Sequence, residues 1–319
     1  MTKGGLASTI AIVGRFRHEI LATPDDQSLS LHGHRAPRRP MDPTGLLALT
    51  LGAAVVGVLS GALTAGFRLM LETLNRLRDS VVGWSHGHSL LGFVTLVAGT
   101  AVAAGAAAWL VRRFSPHAGG SGIPHVEAVL EGRLPPAPFR LLWVKFVGGC
   151  LAMGAGLALG REGPSVQMGA SIGTLLGGWT RRSTDDVRAW LAAGAGAGLA
   201  TAFNAPLAGG IFVLEELVRR FDPRTAIAAL TASATAIATA RVFLGSAPDF
   251  SVNADVTLPP GSALVFALLG VVAGAVAVVY QTLTVRLLTG MDQLQRWPVE
   301  RRAMGIGAMV GAVAWIAPG

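Results

Sequence analysis

The chain has 319 residues, of which 51% are hydrophobic and only 14% charged, with a mean hydropathy of +0.54. Soluble domains carry about 25% charged residues, and the alternating segments of about ten residues that mark a bilayer β-barrel are missing, so the composition points to a polytopic α-helical membrane protein. The formal net charge of +8 would suggest nucleic acid in a soluble chain, but here the basic residues sit between apolar spans, as the positive-inside rule places them, and no nucleic-acid partner is expected.

In chain order, residues 1–43 carry Lys3, Arg15, Arg17, Arg35, Arg38 and Arg39 without a long apolar core. That pattern argues against a cleavable signal peptide and predicts a basic cytoplasmic tail. Gly45 to about Leu74 is long enough for a tilted spanning helix, and Leu90–Val111 is another, closed by Arg112 and Arg113. The pattern then breaks. Trp143–Leu159 is laced with glycine and stops at Gly160-Arg161-Glu162-Gly163-Pro164, and Ser165–Trp179 is short. Ala189–Phe203 stops at Asn204-Ala205-Pro206, and Leu207–Leu214 is too short to span and runs into Glu215–Glu216. Ala226–Leu244, Ser262–Leu288 and Ala303–Ala317 complete the series. The lone cysteine, Cys150, lies in an apolar run, where a packing role is expected and no disulfide within the chain is possible.

Interrupted apolar segments of this kind mark discontinuous helices, which in transporters build the binding site. Unpaired backbone groups are costly in lipid, so such breaks persist only where protein, water or an ion takes those groups. A weak internal echo is also present. GVLSGA at 57–62 resembles GVVAGA at 270–275, and the stretch 97–124 has a shorter counterpart at 304–319.

Three stretches carry chemistry. In GGSGIPHVE (119–127), Gly120 and Gly122 flank Ser121, and Pro124 suits the first turn of a helix beginning near Ile123. The free N–H groups of such a start, together with the Ser121 hydroxyl, form an anion site without a full positive charge. The plainer reading is an ordinary N-cap serine. In LALGREGPSVQMG (157–169), Pro164 again suits a first helical turn, and Glu162 is expected just ahead of it. A carboxylate there occupies the place a free anion would take at a helix N-terminus. Its alternative is a buried structural pair with Arg161, although ionisable groups within membrane segments are functional candidates by default. In the third stretch, 198–220, Glu215 and Glu216 close an apolar helix as a proton entry point, or else pair at i+4 with Arg219 and Arg220 as a solvated helix end.

GSGIP at 120–124, GREGP at 160–164 and a helix-break-helix ending in Glu215-Glu216 occur together and in this order. The combination resembles the CLC family of chloride channels and chloride/proton exchangers, especially its bacterial members, over roughly residues 44–319. The resemblance implies an all-α, polytopic inverted-repeat fold with broken and re-entrant helices. It implies a tail over 1–43, a complete first repeat over 44–255, and a second repeat begun at 256–319 and truncated. It implies an inner-membrane homodimer surrounded by lipid, with a cytoplasmic N-terminus and one anion pore per subunit. Its transported ions are chloride and protons, and no cofactor or metal is implied.

Residue by residue, Ser121 matches a chloride ligand, with Gly120, Gly122, Ile123, Gly160, Arg161 and Gly163 lining the anion site. Glu162 matches the gating glutamate, Glu216 the internal proton-transfer glutamate with Glu215 beside it, and Glu127 and Lys145 a structural ion pair. His125 stands where bacterial relatives carry glutamate. The family's GxFxP stretch and pore tyrosine have no counterpart, since Tyr280 does not match the latter. The expected activity is chloride/proton antiport, with a passive chloride channel or a truncated, non-transporting partner of a full-length relative as alternatives.

Two other readings are weaker. GGSG at 119–122 also fits an intramembrane serine protease, but no histidine follows His125 to act as base. The HGH pairs at 32–34 and 86–88 lack the further ligands a metal site needs.

Overall fold

A computed structural model describes residues 43–246, 262–292 and 296–316. The expected tail, its HGH pair at 32–34 and the expected boundary between 255 and 256 lie outside the described residues. The described residues form ten α-helices and no strand: α1 Pro43–His86, α2 Ser89–Phe114, α3 Ile123–Leu130, α4 Phe139–Gly154, α5 Glu162–Trp179, α6 Thr184–Phe203, α7 Pro206–Phe212, α8 Pro223–Leu244, α9 Ser262–Asp292 and α10 Val299–Ile316. A 3-10 turn, Pro116–Ala118, precedes α3, and a π-type turn, Val213–Leu217, continues α7.

Among the described residues, four helices are long and apolar enough to cross a bilayer: residues 44–86, 89–114, 223–244 and 262–291. The first differs from its expectation. The apolar stretch fades near Leu74, but the 44-residue helix continues to His86. The charges at Arg76, Arg78 and Asp79 end the lipid-facing composition without ending the hydrogen-bond ladder, because no proline interrupts it. At 1.5 Å per residue α1 is roughly 66 Å long, about twice the thickness of the hydrocarbon core.

The core is built around α6. Every residue from Ala189 to Ala202 is buried, which suits a run that is mostly glycine and alanine. Small residues let helix backbones approach closely, the means of helix association open to a membrane protein that gains little from apolar burial. A Cβ on Gly169 of α5 would overlap the Gly194 carbonyl oxygen of α6, and the reverse also holds. Gly173 sits in the same way on the Trp190 carbonyl and Gly198 on that of Ser165. On the other side of α6, the Trp190 ring fills the space beside Gly52 of α1 and its indole N–H donates to the Leu49 carbonyl at 2.9 Å. Gly57 and Gly61 of α1 lie against the backbone of Ala232 and Ala236 in α8.

The echo between 97–124 and 304–319 has a spatial counterpart. Helices α2 and α10 pack together, with Gly307 on Thr100 and Gly105 on Met304, and an Arg112–Glu300 ion pair joins them. The other echo has none. Gly57 is enclosed in α1, whereas Gly270 and Gly274 of α9 have nothing near them and α9 is exposed along its length.

Candidate functional site

The loop before α3 is shaped by glycine. Gly120 and Gly122 have φ of +68° and +93°, a region closed to most side chains, and they flank Ser121. Gly122 is the N-cap of α3 and Pro124 lies in its first turn, as the sequence predicts. The first ladder bond runs from the Val126 N–H to the Gly122 carbonyl at 3.1 Å, so the N–H groups ahead of Val126 fall outside the ladder. Ser121 does not act as an N-cap, since no side-chain cap bond forms at this helix start. Its side chain remains exposed.

Glu162 is the first residue of α5, with Arg161 as N-cap. The expectation placed it just ahead of the helix. The ladder begins earlier because the Ser165 N–H reaches the Arg161 carbonyl at 3.2 Å, leaving Pro164 in the first turn, where its missing N–H is harmless. The Glu162 carboxylate folds back over Gly160, and a Cβ on Gly160 would overlap Oε2. Among the described residues Glu162 enters no ion pair.

The two helix starts meet. A Cβ on Gly163 would overlap the Ser121 carbonyl oxygen and lie 2.7 Å from the Ser121 hydroxyl oxygen. The structure therefore sets Ser121 against Gly163 in the first turn of α5, from stretches about 40 residues apart in sequence.

The expected Glu127–Lys145 ion pair is not the arrangement found. The Lys145 ammonium, buried in α4, donates to the carbonyl oxygens of Ala118 at 3.0 Å and Gly120 at 2.7 Å. Glu127 accepts instead from Arg219 Nη2 at 3.2 Å. The reason is local. The left-handed turn at Gly120 leaves loop carbonyls without a ladder partner, and a buried ammonium needs acceptors around it.

Glu215 and Glu216 lie on the π-type turn, and both are exposed. The alternative of i+4 pairing with Arg219 and Arg220 is not observed among the described residues. Arg219 has φ of +52°, which carries its side chain off the helical path, and its Nε donates to the Glu216 carbonyl at 3.1 Å. Arg219 thus ties the turn bearing both glutamates to α3, whose first turn follows Ser121.

Sequence reasoning passed over Gln167. This α5 side chain is fully buried, and its Nε2 donates to the His117 carbonyl at 2.8 Å. An amide in the apolar run Val166-Gln167-Met168 was the available signal. His125, given no role from sequence, lies with its ring centroid 5.1 Å from that of His117. No group of three or more potential metal ligands is present among the described residues.

An all-α membrane protein with broken helices and two helix starts in contact at Ser121 and Gly163 is the class that fold and site define. The family described as voltage gated chloride channel has a model that matches residues 101–319, and the chain belongs to that family. Among its relatives, the H(+)/Cl(-) exchange transporter ClcA of Salmonella arizonae is 35% identical over 280 residues, covering 85% of this chain and 59% of its own length. ClcA of Salmonella paratyphi B is 34% identical over the same length. The chain therefore spans about three fifths of the length of these relatives. Among solved structures, a slow cyanobacterial Cl-/H+ antiporter superposes with a TM-score of 0.76 at 33% identity, covering 84% of this chain and 63% of that one. A CLC-type fluoride/proton antiporter gives 0.71 at 26% identity, covering 86% and 67%.

Proposed function

We propose that the protein exchanges chloride for protons across the inner membrane, as a lipid-embedded homodimer with its N-terminus in the cytoplasm. The observation that carries this reading is the contact with Ser121 of Gly163, in the helix start that carries Glu162, which brings the N-terminal ends of two helices together. Relatives named as H+/Cl- exchangers support it.

In this mechanism the anion is held by partial charges: the Ser121 hydroxyl and the N–H groups around Gly120, Gly122 and Ile123 on one side, and Gly160, Arg161 and Gly163 on the other. Weak ligands of this kind let the ion leave as well as enter. The Glu162 carboxylate is a tethered anion that competes for the same positive helix ends. Taking up a proton removes its charge and its claim on the site, so anion movement becomes tied to proton movement. Glu216, with Glu215 beside it, passes protons from the other end, on the turn that Arg219 fastens to α3.

The test is a paired flux measurement on the full-length protein in proteoliposomes. Exchange predicts that a chloride gradient drives uphill proton movement in the opposite direction. Chloride movement with no proton movement would make the protein a passive channel and remove the exchange reading.

A further inference from the structure

Gln167 sits on the gate helix α5, five residues after Glu162, yet its side chain serves the serine loop. Its Nε2 donates to His117 in the 3-10 turn that leads into Gly119–Ser121. The rest of the side chain fills the space under Gly122: a Cβ at that residue would lie 2.6 Å from Gln167 Oε1, 2.8 Å from Cδ and 2.9 Å from Cβ. The side chain is completely buried, and among the described residues Oε1 has no hydrogen-bond partner. A buried amide satisfied at one end only is less stable than an apolar side chain of the same shape. Core packing therefore does not account for it, whereas its donor and its contact with Gly122 do.

We propose that Gln167 is a positioning residue that fixes the Ser121 loop to the Glu162 helix and so sets anion affinity and discrimination. The inference rests on the exchange reading for the site it acts on, but not on proton coupling. The loop is held from two directions. Lys145 takes the Ala118 and Gly120 carbonyls from α4, and Gln167 takes the His117 carbonyl from α5. Of the two, only Gln167 belongs to the helix that carries the gate. Its amide therefore transmits the position of α5 to the N-cap of α3. Without it, Gly122 with its positive φ is free to shift, and the hydroxyl and N–H groups on either side of it no longer converge.

The test uses the full-length protein with Gln167→Met, which keeps length and volume but removes the donor, and Gln167→Asn, which keeps the amide but is too short to reach His117. Chloride binding is measured by calorimetry in detergent, anion preference by chloride against nitrate flux, and loop order by amide hydrogen exchange over residues 116–126. Both variants are expected to bind chloride roughly threefold to tenfold more weakly, the usual range for one lost hydrogen bond. They are also expected to lose part of their chloride preference, to exchange loop amides faster, and to keep the wild-type proton-to-chloride ratio. Ser171→Ala, which removes only a bond within α5 to the Gln167 carbonyl, is expected to leave all four readings unchanged. Wild-type chloride affinity and loop exchange in both Gln167 variants would overturn the proposal. So would a loss of thermal stability with no change in affinity or preference. Absence of proton coupling in the wild type would sink the exchange reading alone, because the binding and exchange measurements do not depend on it.

Discussion

Gly163 lies directly on Ser121. The point where its side chain would begin falls on the Ser121 carbonyl oxygen and 2.7 Å from the hydroxyl oxygen. No larger residue fits without separating the two helix starts. Gly163→Ala is therefore expected to destabilise the protein by about 1–3 kcal/mol, the usual cost of overpacking, and to weaken chloride binding at the same time. Calorimetric chloride titration together with thermal unfolding in detergent checks this. An alanine variant with wild-type affinity would place the anion away from this junction.

Lys145 and Glu127 are not partners, and a double-mutant cycle on unfolding stability can read this directly. Lys145→Met leaves the Ala118 and Gly120 carbonyls without their donor, at about 1–3 kcal/mol for the buried Ala118 group. The Lys145/Glu127 cycle is expected to show coupling near zero. The Glu127/Arg219 cycle is expected to show a small coupling of at most about 1 kcal/mol, because Arg219 is largely exposed. Strong coupling of Lys145 to Glu127 would restore the ion pair that the motif comparison implies.

The interface between α5 and α6 leaves no room for side chains at Gly169, Gly173, Gly194 or Gly198. Gly169→Leu is expected to prevent native packing altogether, since its side chain would have to displace backbone. Size-exclusion chromatography of the solubilised protein tests this, with Gly178→Leu as the control, because nothing lies within 4 Å of that glycine's missing Cβ. Equal loss of the monodisperse peak in both variants would contradict it.

The two glutamates are expected to fail differently. Glu162→Gln, a permanent mimic of the protonated side chain, should conduct chloride without moving protons, and its chloride flux should lose the rise on acidification expected of the wild type. Glu216→Gln should retain chloride movement but lose proton transport, because it leaves the anion site intact. Proteoliposome fluxes at two pH values separate these outcomes. Unchanged coupling in Glu162→Gln would remove Glu162 from the gate.

Most of the helix plan was written in the local pattern, because Pro124, Pro164 and Pro206 each fall at a helix start where the residue type has a physical reason to be. The three chemical stretches were legible for the same reason, since a serine between two glycines, or a carboxylate before a proline, has meaning within a few residues. What composition misplaced was the end of α1, because leaving lipid and ending a helix are different events. What it could not supply were partners. Which carbonyls Lys145 would hold, which base Glu127 would meet, and that Gln167 would reach the loop before Ser121 depend on α3, α4 and α5 coming together. The glycines whose missing side chains allow that approach look in sequence like low complexity. Sequence determined that two glycine-bounded helix starts, one after Ser121 and one at Glu162, exist. Only the packing of Gly163 on Ser121 decided that they come together, because contact between residues about 40 positions apart is a property of the folded backbone and of no local pattern.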